Sequence, residues 1–106
     1  MNRGDIWISV EKGYLSKPRP VLIIQSDRYN KDESVVTCLV TSEDVLEKDY
    51  RVFLKKTVEN GLDRDSFIMI DKIISVPRIK LNKYVGKVNG EIVEEVYRKL
   101  MDFLAA

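Results

Sequence analysis

The sequence predicts a mainly β domain, a small and strongly bent antiparallel sheet or barrel with one helix packed against it. Two patterns support this fold class. Short apolar and β-branched runs, separated by polar or glycine-containing turns, recur as far as Val88 and are typical of strands. Beyond Asn89 the apolar residues recur at helical spacing instead. With 106 residues, 44% of them hydrophobic, the chain is expected to form a single domain over residues 1–106.

Three strands are predicted in the first half of the chain, over residues 5–10, 19–26 and 35–41. The second begins at Arg19-Pro20, because a strand start tolerates the missing backbone donor of proline. Side chains alternate between the two faces of a strand. In the third strand, residues 36, 38 and 40 should therefore share one face, and the odd-numbered residues the other. The polar segments 11–18 and 42–49 are expected to be loops.

Four shorter strands are predicted in the second half, over residues 50–54, 66–71, 73–76 and 85–88. The Asn60-Gly61 pair is a turn signal that separates the first two of them.

The final helix is predicted from a stripe of apolar residues at helical spacing: Ile92, Val93, Val96, Leu100, Phe103 and Leu104. Asn89 is a suitable N-cap for this helix. Acidic residues follow near the positive end of the helix dipole, and basic residues come later, as the dipole favours.

The composition excludes several kinds of chemistry. The chain contains no histidine and a single cysteine, Cys38. A Ser–His or Cys–His nucleophilic pair, a histidine-ligated metal, an internal disulfide and a cysteine-based zinc site are thereby excluded. Cys38 lies inside an apolar run and is expected to be a buried core residue. Catalysis would have to use Arg, Lys, Asp, Glu, Thr, Ser or Tyr, and neither a metal nor another cofactor is expected.

The charge of the chain is unevenly distributed. The net charge is only +1, but residues 72–90 carry five cations and no acid. Such a strip favours a local contact with a polyanion, although lysines that protect an exposed strand edge would give the same pattern. No apolar run is long enough to span a membrane and no leader-like segment opens the chain, so we expect no membrane contact and a cytoplasmic location.

Four separated stretches carry motifs. These are RGDIW at residues 3–7, PRPVLIIQSD at 18–27, VTS at 40–42 and GLDRDS at 61–66, the last continuing to Ile70-Asp71. In order and approximate spacing, and together with the final helix, they resemble the MazF/PemK-like toxins of bacterial type II toxin–antitoxin systems.

The resemblance implies a Src-homology-3-like antiparallel barrel of the CcdB/PemK toxin type that forms a homodimer. It also implies a sequence-selective, metal-independent endoribonuclease that cuts single-stranded RNA in the dimer groove. A cognate antitoxin protein would occupy the same groove with a disordered tail. RNA would be cut by its own 2′-hydroxyl, which leaves a 2′,3′-cyclic phosphate and a 5′-hydroxyl end.

Three residues are candidates for catalysis: Arg19, Thr41 and Asp71. Arg19 matches the arginine to which the family assigns catalysis, and a planar guanidinium suits phosphate oxygens. Thr41 ends the third strand, where its hydroxyl could bond a phosphate oxygen. Asp71 matches a position where some members have an acid beside the RNA, and it would accept the 2′-hydroxyl proton or orient Arg19. Without the resemblance, these would be a strand-edge arginine, an ordinary strand threonine and an exposed strand-end acid.

Five further residues are predicted to contact RNA: Lys12, Tyr14, Lys17, Ser42 and Lys72. The first three lie in the loop that closes over RNA in the family, and an aromatic ring among cations suits stacking on an unpaired base. That loop, residues 11–18, is shorter here and lacks the family's Gly-x-Glu or Gly-His-Glu element. Met69 occupies the place of a second family arginine, so that role is vacant or taken by Lys72. Ser42 would assist the threonine before it or cap the turn.

The alternative function is that of a barrel homologue that does not cut but binds RNA or a protein target such as DNA gyrase. The shortened loop keeps an inactive RNA-binding form open. Gyrase-poisoning relatives act through a C-terminal tail that contains tryptophan, whereas the only tryptophan here is Trp7. Gyrase is therefore the less favoured target.

Overall fold

The computed structural model describes residues 1–10, 17–43 and 48–105. Its strands are β1 (Asp5–Ser9), β2 (Arg19–Ile23), β3 (Ser34–Thr41), β4 (Val52–Leu54), β5 (Ser66–Pro77) and β6 (Leu81–Lys87), and its helix is α1 (Gly90–Ala105). Single turns of 3-10 helix occupy Asp27–Tyr29 and Arg78–Lys80. All six strands form one antiparallel sheet in the order β4-β5-β3-β2-β1-β6. The predicted mainly β class with a packed C-terminal helix is confirmed.

β5 corrects one prediction. The two strands predicted at residues 66–71 and 73–76 are a single strand, because both halves pair with β3. Val40 pairs with Ile68 and Cys38 with Ile73, so residues 69–72 of β5 lie opposite Leu39 alone. This irregularity accommodates polar residues inside a continuous strand and bends it. The polar pair at residues 71–72 therefore marks a bulge, not the end of a strand.

β6 is longer than the predicted strand at residues 85–88. It begins at Leu81 because β1 pairs along its whole length, with Ser9 opposite Leu81 and Trp7 opposite Tyr84. Residues 82–84 are all exposed, so they lack the alternation of apolar and polar residues from which a strand is predicted. The register shifts twice along this pair, which twists the edge of the sheet.

The core consists of two apolar clusters on opposite faces of the sheet. One includes Cys38 and Val40 of β3 and packs against α1 through Val96 and Leu100. The other includes Val35 and Leu39 of β3, together with Trp7 as a partly buried neighbour. The predicted division of β3 into two faces is thus confirmed.

α1 begins after the predicted N-cap. The side-chain oxygen of Asn89 accepts a hydrogen bond from the backbone N–H of Ile92 at 3.0 Å. The Tyr97 hydroxyl donates to the carbonyl of Ile24, which fixes the helix against the end of β2. Within the described ranges, no helix combines the length and apolarity needed to cross a membrane.

A turn at residues 57–62 joins the two edges of the sheet. The backbone N–H of Lys87 donates to the carbonyl of Glu59 at 2.9 Å, so the segment after β4 is bonded to β6. Gly61 has a φ of +67°, and a Cβ on it would lie 2.0 Å from the carbonyl oxygen of Val85. A Cβ on Gly86 would lie 2.4 Å from the carbonyl oxygen of Glu59. Two glycines therefore allow this backbone contact, through which β4 and β6 approach each other.

Candidate functional site

A cavity of about 570 Å³ opens where β2 begins and β3 ends. Its polar lining includes side chains from three parts of the sheet: Lys17, Arg19, Thr41, Ser42, Lys83 and Tyr84. Residues 61–64, which follow Asn60, contribute another part of the wall. The second, third and fourth sequence motifs therefore meet at one place.

Strand register brings Arg19 and Thr41 together. β2 and β3 are antiparallel, with Val21 opposite Leu39. Two residues farther along this register, the start of β2 and the end of β3 lie at the same edge of the molecule. Both residues line the cavity, as expected for strand-end residues.

Arg19 is exposed and is available to an anion. It is flanked by Pro18 and Pro20, and its backbone pairs with Ser9 of β1. Its guanidinium makes no ion pair with any residue that the structure describes. A fork of donors held at a stiff strand start can bind two oxygens of one phosphate.

Thr41 is half-buried, and its hydroxyl is already oriented. The Oγ1 atom accepts a hydrogen bond from the backbone N–H of Glu43 at 3.1 Å. A hydroxyl has one proton to donate besides its acceptor sites, so Thr41 can still donate to a ligand. Ser42 is exposed beside it and lines the same cavity.

A second cavity, of about 300 Å³, shares the Arg19 and Thr41 wall. It is lined further by Glu43, Arg51, Met69 and Lys72, and also by Leu39. Met69 is only 9% exposed, so at this strand-five position the chain presents an apolar surface. The two cavities make one groove with Arg19 and Thr41 in its middle.

Asp71 contacts this groove indirectly. Its Oδ1 atom lies 3.4 Å from Nε of Arg51, and the two side chains are 15% and 13% exposed. Neither of these atoms has a hydrogen-bond partner among the described residues, so the ion pair compensates for their burial. Arg51 lines the second cavity, whereas Asp71 lines a neighbouring one with Lys72.

Sequence reasoning missed Arg51. It lies just before β4, outside every motif, and only the fold brings it to the groove. It also missed Tyr84 as a site residue. The sequence signal for Tyr84 was an aromatic residue next to Lys83 in the basic strip, but its pairing with β1 is not visible in the sequence.

Cys38 is fully buried in the first core cluster. Burial, and to a lesser extent the negative charge of Asp71, raises the pKa of its thiol to about 12. The thiol stays protonated at neutral pH, in agreement with its interpretation as a core residue.

The other predicted site residues have different outcomes. Lys17 is exposed at the first cavity, while Lys12 and Tyr14 lie outside the described residues. In the basic strip, Lys72 and Lys83 line the groove, but Arg78 donates from Nε to the carbonyl of Asp32 and serves the fold. Among residues 1–10, 17–43 and 48–105, no group of three or more Cys, Asp or Glu side chains is arranged to hold a metal.

Comparison with known proteins identifies the family. Residues 2–104 match the family described as PemK-like, MazF-like toxin of type II toxin-antitoxin system. A Mycolicibacterium smegmatis protein named probable endoribonuclease MazF is 39% identical over 105 residues, which cover 98% of this chain and 96% of that protein.

Solved structures confirm the fold. An endoribonuclease in complex with its cognate antitoxin from Mycobacterial species aligns with a TM-score of 0.82 and 20% identity, covering 98% of this chain and 94% of that one. A MazE-MazF crystal structure from Deinococcus radiodurans aligns with a TM-score of 0.78 and 20% identity, covering 99% of this chain and 95% of that one.

Proposed function

Since the chain belongs to the PemK-like, MazF-like toxins of type II toxin–antitoxin systems and is an endoribonuclease of that family, we propose that it cuts single-stranded RNA without a metal ion. The attacking group is the 2′-hydroxyl of the RNA itself. The products are a 2′,3′-cyclic phosphate and a 5′-hydroxyl end. The observation that carries this proposal is the groove in which Arg19, without an ion-pair partner among the described residues, lies beside the Thr41 hydroxyl.

Charge stabilisation at the phosphate is the first task of the site. Negative charge grows on the non-bridging oxygens as the 2′-oxygen attacks, and oriented donors in a sheltered groove stabilise it. Arg19 binds these oxygens through its guanidinium, and the Thr41 hydroxyl donates to one of them. Lys72 adds positive charge from the adjoining cavity wall.

Proton transfer is the second task. A proton must leave the 2′-oxygen and another must reach the departing 5′-oxygen. Glu43 is the carboxylate that lines both cavities together with Arg19 and Thr41, so we assign proton acceptance to it. We assign donation to the leaving oxygen to Arg19, whose guanidinium N–H groups line the same groove.

Asp71 acts through Arg51 in this proposal. A buried arginine next to a carboxylate keeps one orientation, because separating the pair would leave two uncompensated charges. Asp71 is thus a positioning residue, and Arg51 is a second guanidinium in the groove. Arg51 thereby takes the role of the second family arginine, whose place is occupied by Met69 in this chain.

The RNA strand follows the groove on both sides of the cut. Lys17 and Ser42 contact it at the first cavity, and Lys12 and Tyr14 of the preceding loop remain predicted contacts. We further propose that the chain works as a homodimer in the cytoplasm, where its RNA substrate is found. A cognate antitoxin protein would inhibit it by covering the cationic groove.

Cleavage in the presence of EDTA tests the proposal. We expect purified protein to cut a long unstructured RNA at discrete sites with 5′-hydroxyl ends, with EDTA present. Arg19→Ala should lower the cleavage rate by about 10²- to 10³-fold, because it removes a donor to the developing charge. Arg28→Ala is the matched control, since Arg28 is also exposed but stacks over the Tyr29 ring at 5.7 Å and lines neither cavity.

Two results would contradict the proposal. Loss of all cutting on chelation would show that a metal ion is required. RNA binding without cutting by the unmodified protein would instead identify the non-cleaving homologue.

A further inference from the structure

Tyr84 is an exposed aromatic side chain in the wall of the first cavity. It is 49% exposed, lies on β6 and lines the first cavity with Arg19 and Thr41. Burying a ring of this size against a ligand would remove a large apolar area from water. The proposed mechanism does not use this side chain.

The Tyr84 ring is held by its neighbours in the free protein. Tyr84 pairs with Trp7 across β6 and β1, and the two ring centroids are 5.7 Å apart with an interplanar angle of 71°. Trp7 in turn packs against the second core cluster. Because the edge-to-face contact fixes the ring before a ligand arrives, little side-chain entropy is lost on binding.

Basic side chains outnumber acidic ones in the cavity wall that contains the ring, which is lined by Lys17, Arg19, Arg64 and Lys83 together with Glu43 and Asp63. Lys83 precedes Tyr84 on β6, and Lys17 and Arg64 line the same cavity. Exposed rings interleaved with cations are the common means of binding a single nucleic-acid strand, because bases stack on the rings while the cations hold the phosphates. An acidic peptide would use the cations but would gain little from the open face of a fixed aromatic ring.

We propose that Tyr84 is a stacking platform for one unpaired nucleobase next to the phosphate that is cut. Lys83 and Arg64 hold the phosphates on either side of that base. This inference rests on the proposed function, since it names a subsite of the same RNA groove. Stacking tolerates any base, so the subsite contributes affinity and positioning, with base choice made elsewhere.

A fluorescent RNA analogue tests the subsite without cleavage. The probe is a single-stranded 2′-O-methyl oligonucleotide pool of random sequence with 2-aminopurine at its centre. Its blocked 2′-oxygens prevent the proposed attack, and the fluorescence of 2-aminopurine falls when the base stacks. We expect the protein to quench the probe.

Paired variants separate stacking from folding. Tyr84→Leu keeps an apolar side chain but removes the aromatic face, so it should abolish the quenching and weaken probe binding by roughly ten- to a hundred-fold. Tyr84→Phe should keep both quenching and affinity. Tyr29→Ala is the control, because Tyr29 is also 49% exposed but lines neither cavity of the groove.

The failure of this inference is distinguishable from failure of the proposed function. If Tyr84→Leu quenches and binds the probe as the unmodified protein does, the stacking inference is wrong, and cleavage by the unmodified protein would leave the proposed function intact. If Tyr84→Phe loses quenching together with Tyr84→Leu, the hydroxyl and not the ring face makes the contact, and the inference is equally wrong.

Discussion

Asn60→Ala should destabilise the protein strongly although it removes only a small polar side chain. Asn60 is 2% exposed and lies at the centre of the turn that joins the two edges of the sheet. Its Oδ1 atom accepts from the backbone N–H groups of Thr57 at 3.0 Å and Leu62 at 3.1 Å. Its Nδ2 atom donates to the carbonyl of Lys55 at 2.9 Å. Alanine cannot replace any of these bonds.

The expected magnitude follows from those three bonds. Each intramolecular hydrogen bond contributes about 1 kcal/mol to the free energy of unfolding, so the loss should be about 3 kcal/mol. A chain of 106 residues has an unfolding entropy of about 0.22 kcal/mol/K near its midpoint. The Tm should therefore fall by about 13 °C.

Thermal unfolding followed by far-ultraviolet circular dichroism measures this shift. Asn82→Ala is the matched control, because Asn82 is exposed on β6 and its side chain makes no contact of this kind among the described residues. Asn60→Asp keeps the two acceptor bonds and loses the donor bond, and it also places a charge in a buried turn, so its Tm should fall as well. If the Tm of Asn60→Ala falls by less than about 4 °C, or by no more than that of the control, the turn does not stabilise the fold in the way proposed.

Three further predictions follow from the packing and the charges. Gly61→Ala should lower the free energy of unfolding by about 2–4 kcal/mol in urea titrations, since φ is +67° and the new Cβ meets the Val85 carbonyl oxygen at 2.0 Å; an unchanged midpoint would contradict this. Asp71→Asn should lower kcat for RNA cleavage by roughly ten-fold while Arg51→Met causes a similar loss, and the double variant should be no worse than either, because the two act as one unit. The pKa of the Cys38 thiol is raised from 9.0 to about 12 in the folded state, so the stability it contributes is present below about pH 9 and is lost as the pH rises towards 12. Between pH 7 and pH 10 the free energy of unfolding of Cys38→Ala should therefore fall by about 1.4 kcal/mol less than that of the unmodified protein in urea titrations, and equal decreases would contradict the shift.

The sequence predicted those parts of the fold that depend on local periodicity. Alternation in residues 35–41 assigned Cys38 to one face of β3 and Leu39 to the other, and the helical stripe located α1 with its Asn89 cap. Arg19 and Thr41 were selected through the resemblance to the family. Their meeting follows from the strand pairing, because the start of one strand and the end of its antiparallel neighbour lie at the same edge.

The rest of the site depends on contacts between distant segments. Arg51 lies just before β4 and Asp71 lies on β5, and a bulge that depends on the pairing of β5 with β3 determines their meeting. The position of Tyr84 in the cavity wall depends on the pairing of β6 with β1. Because the register of that pair shifts twice, no periodic pattern in the sequence indicates this position. Motif reasoning detects residues that are characteristic of a family, whereas these residues belong to the particular packing of this chain.

The turn at residues 57–62 links the stability of the fold to the formation of the groove. Its bond to β6 joins the sheet edges, and residues 61–64, which begin within the turn, form one wall of the first cavity. That cavity also contains Tyr84, next to the Val85 carbonyl on which Gly61 packs. Because the same backbone contact joins the sheet edges and holds residues 61–64 beside β6, the first cavity depends on the joining of the two edges. Arg19 and Thr41, on paired central strands, would still lie together in an open sheet, but they would then lack the sheltered surroundings that make their hydrogen bonds to a phosphate strong.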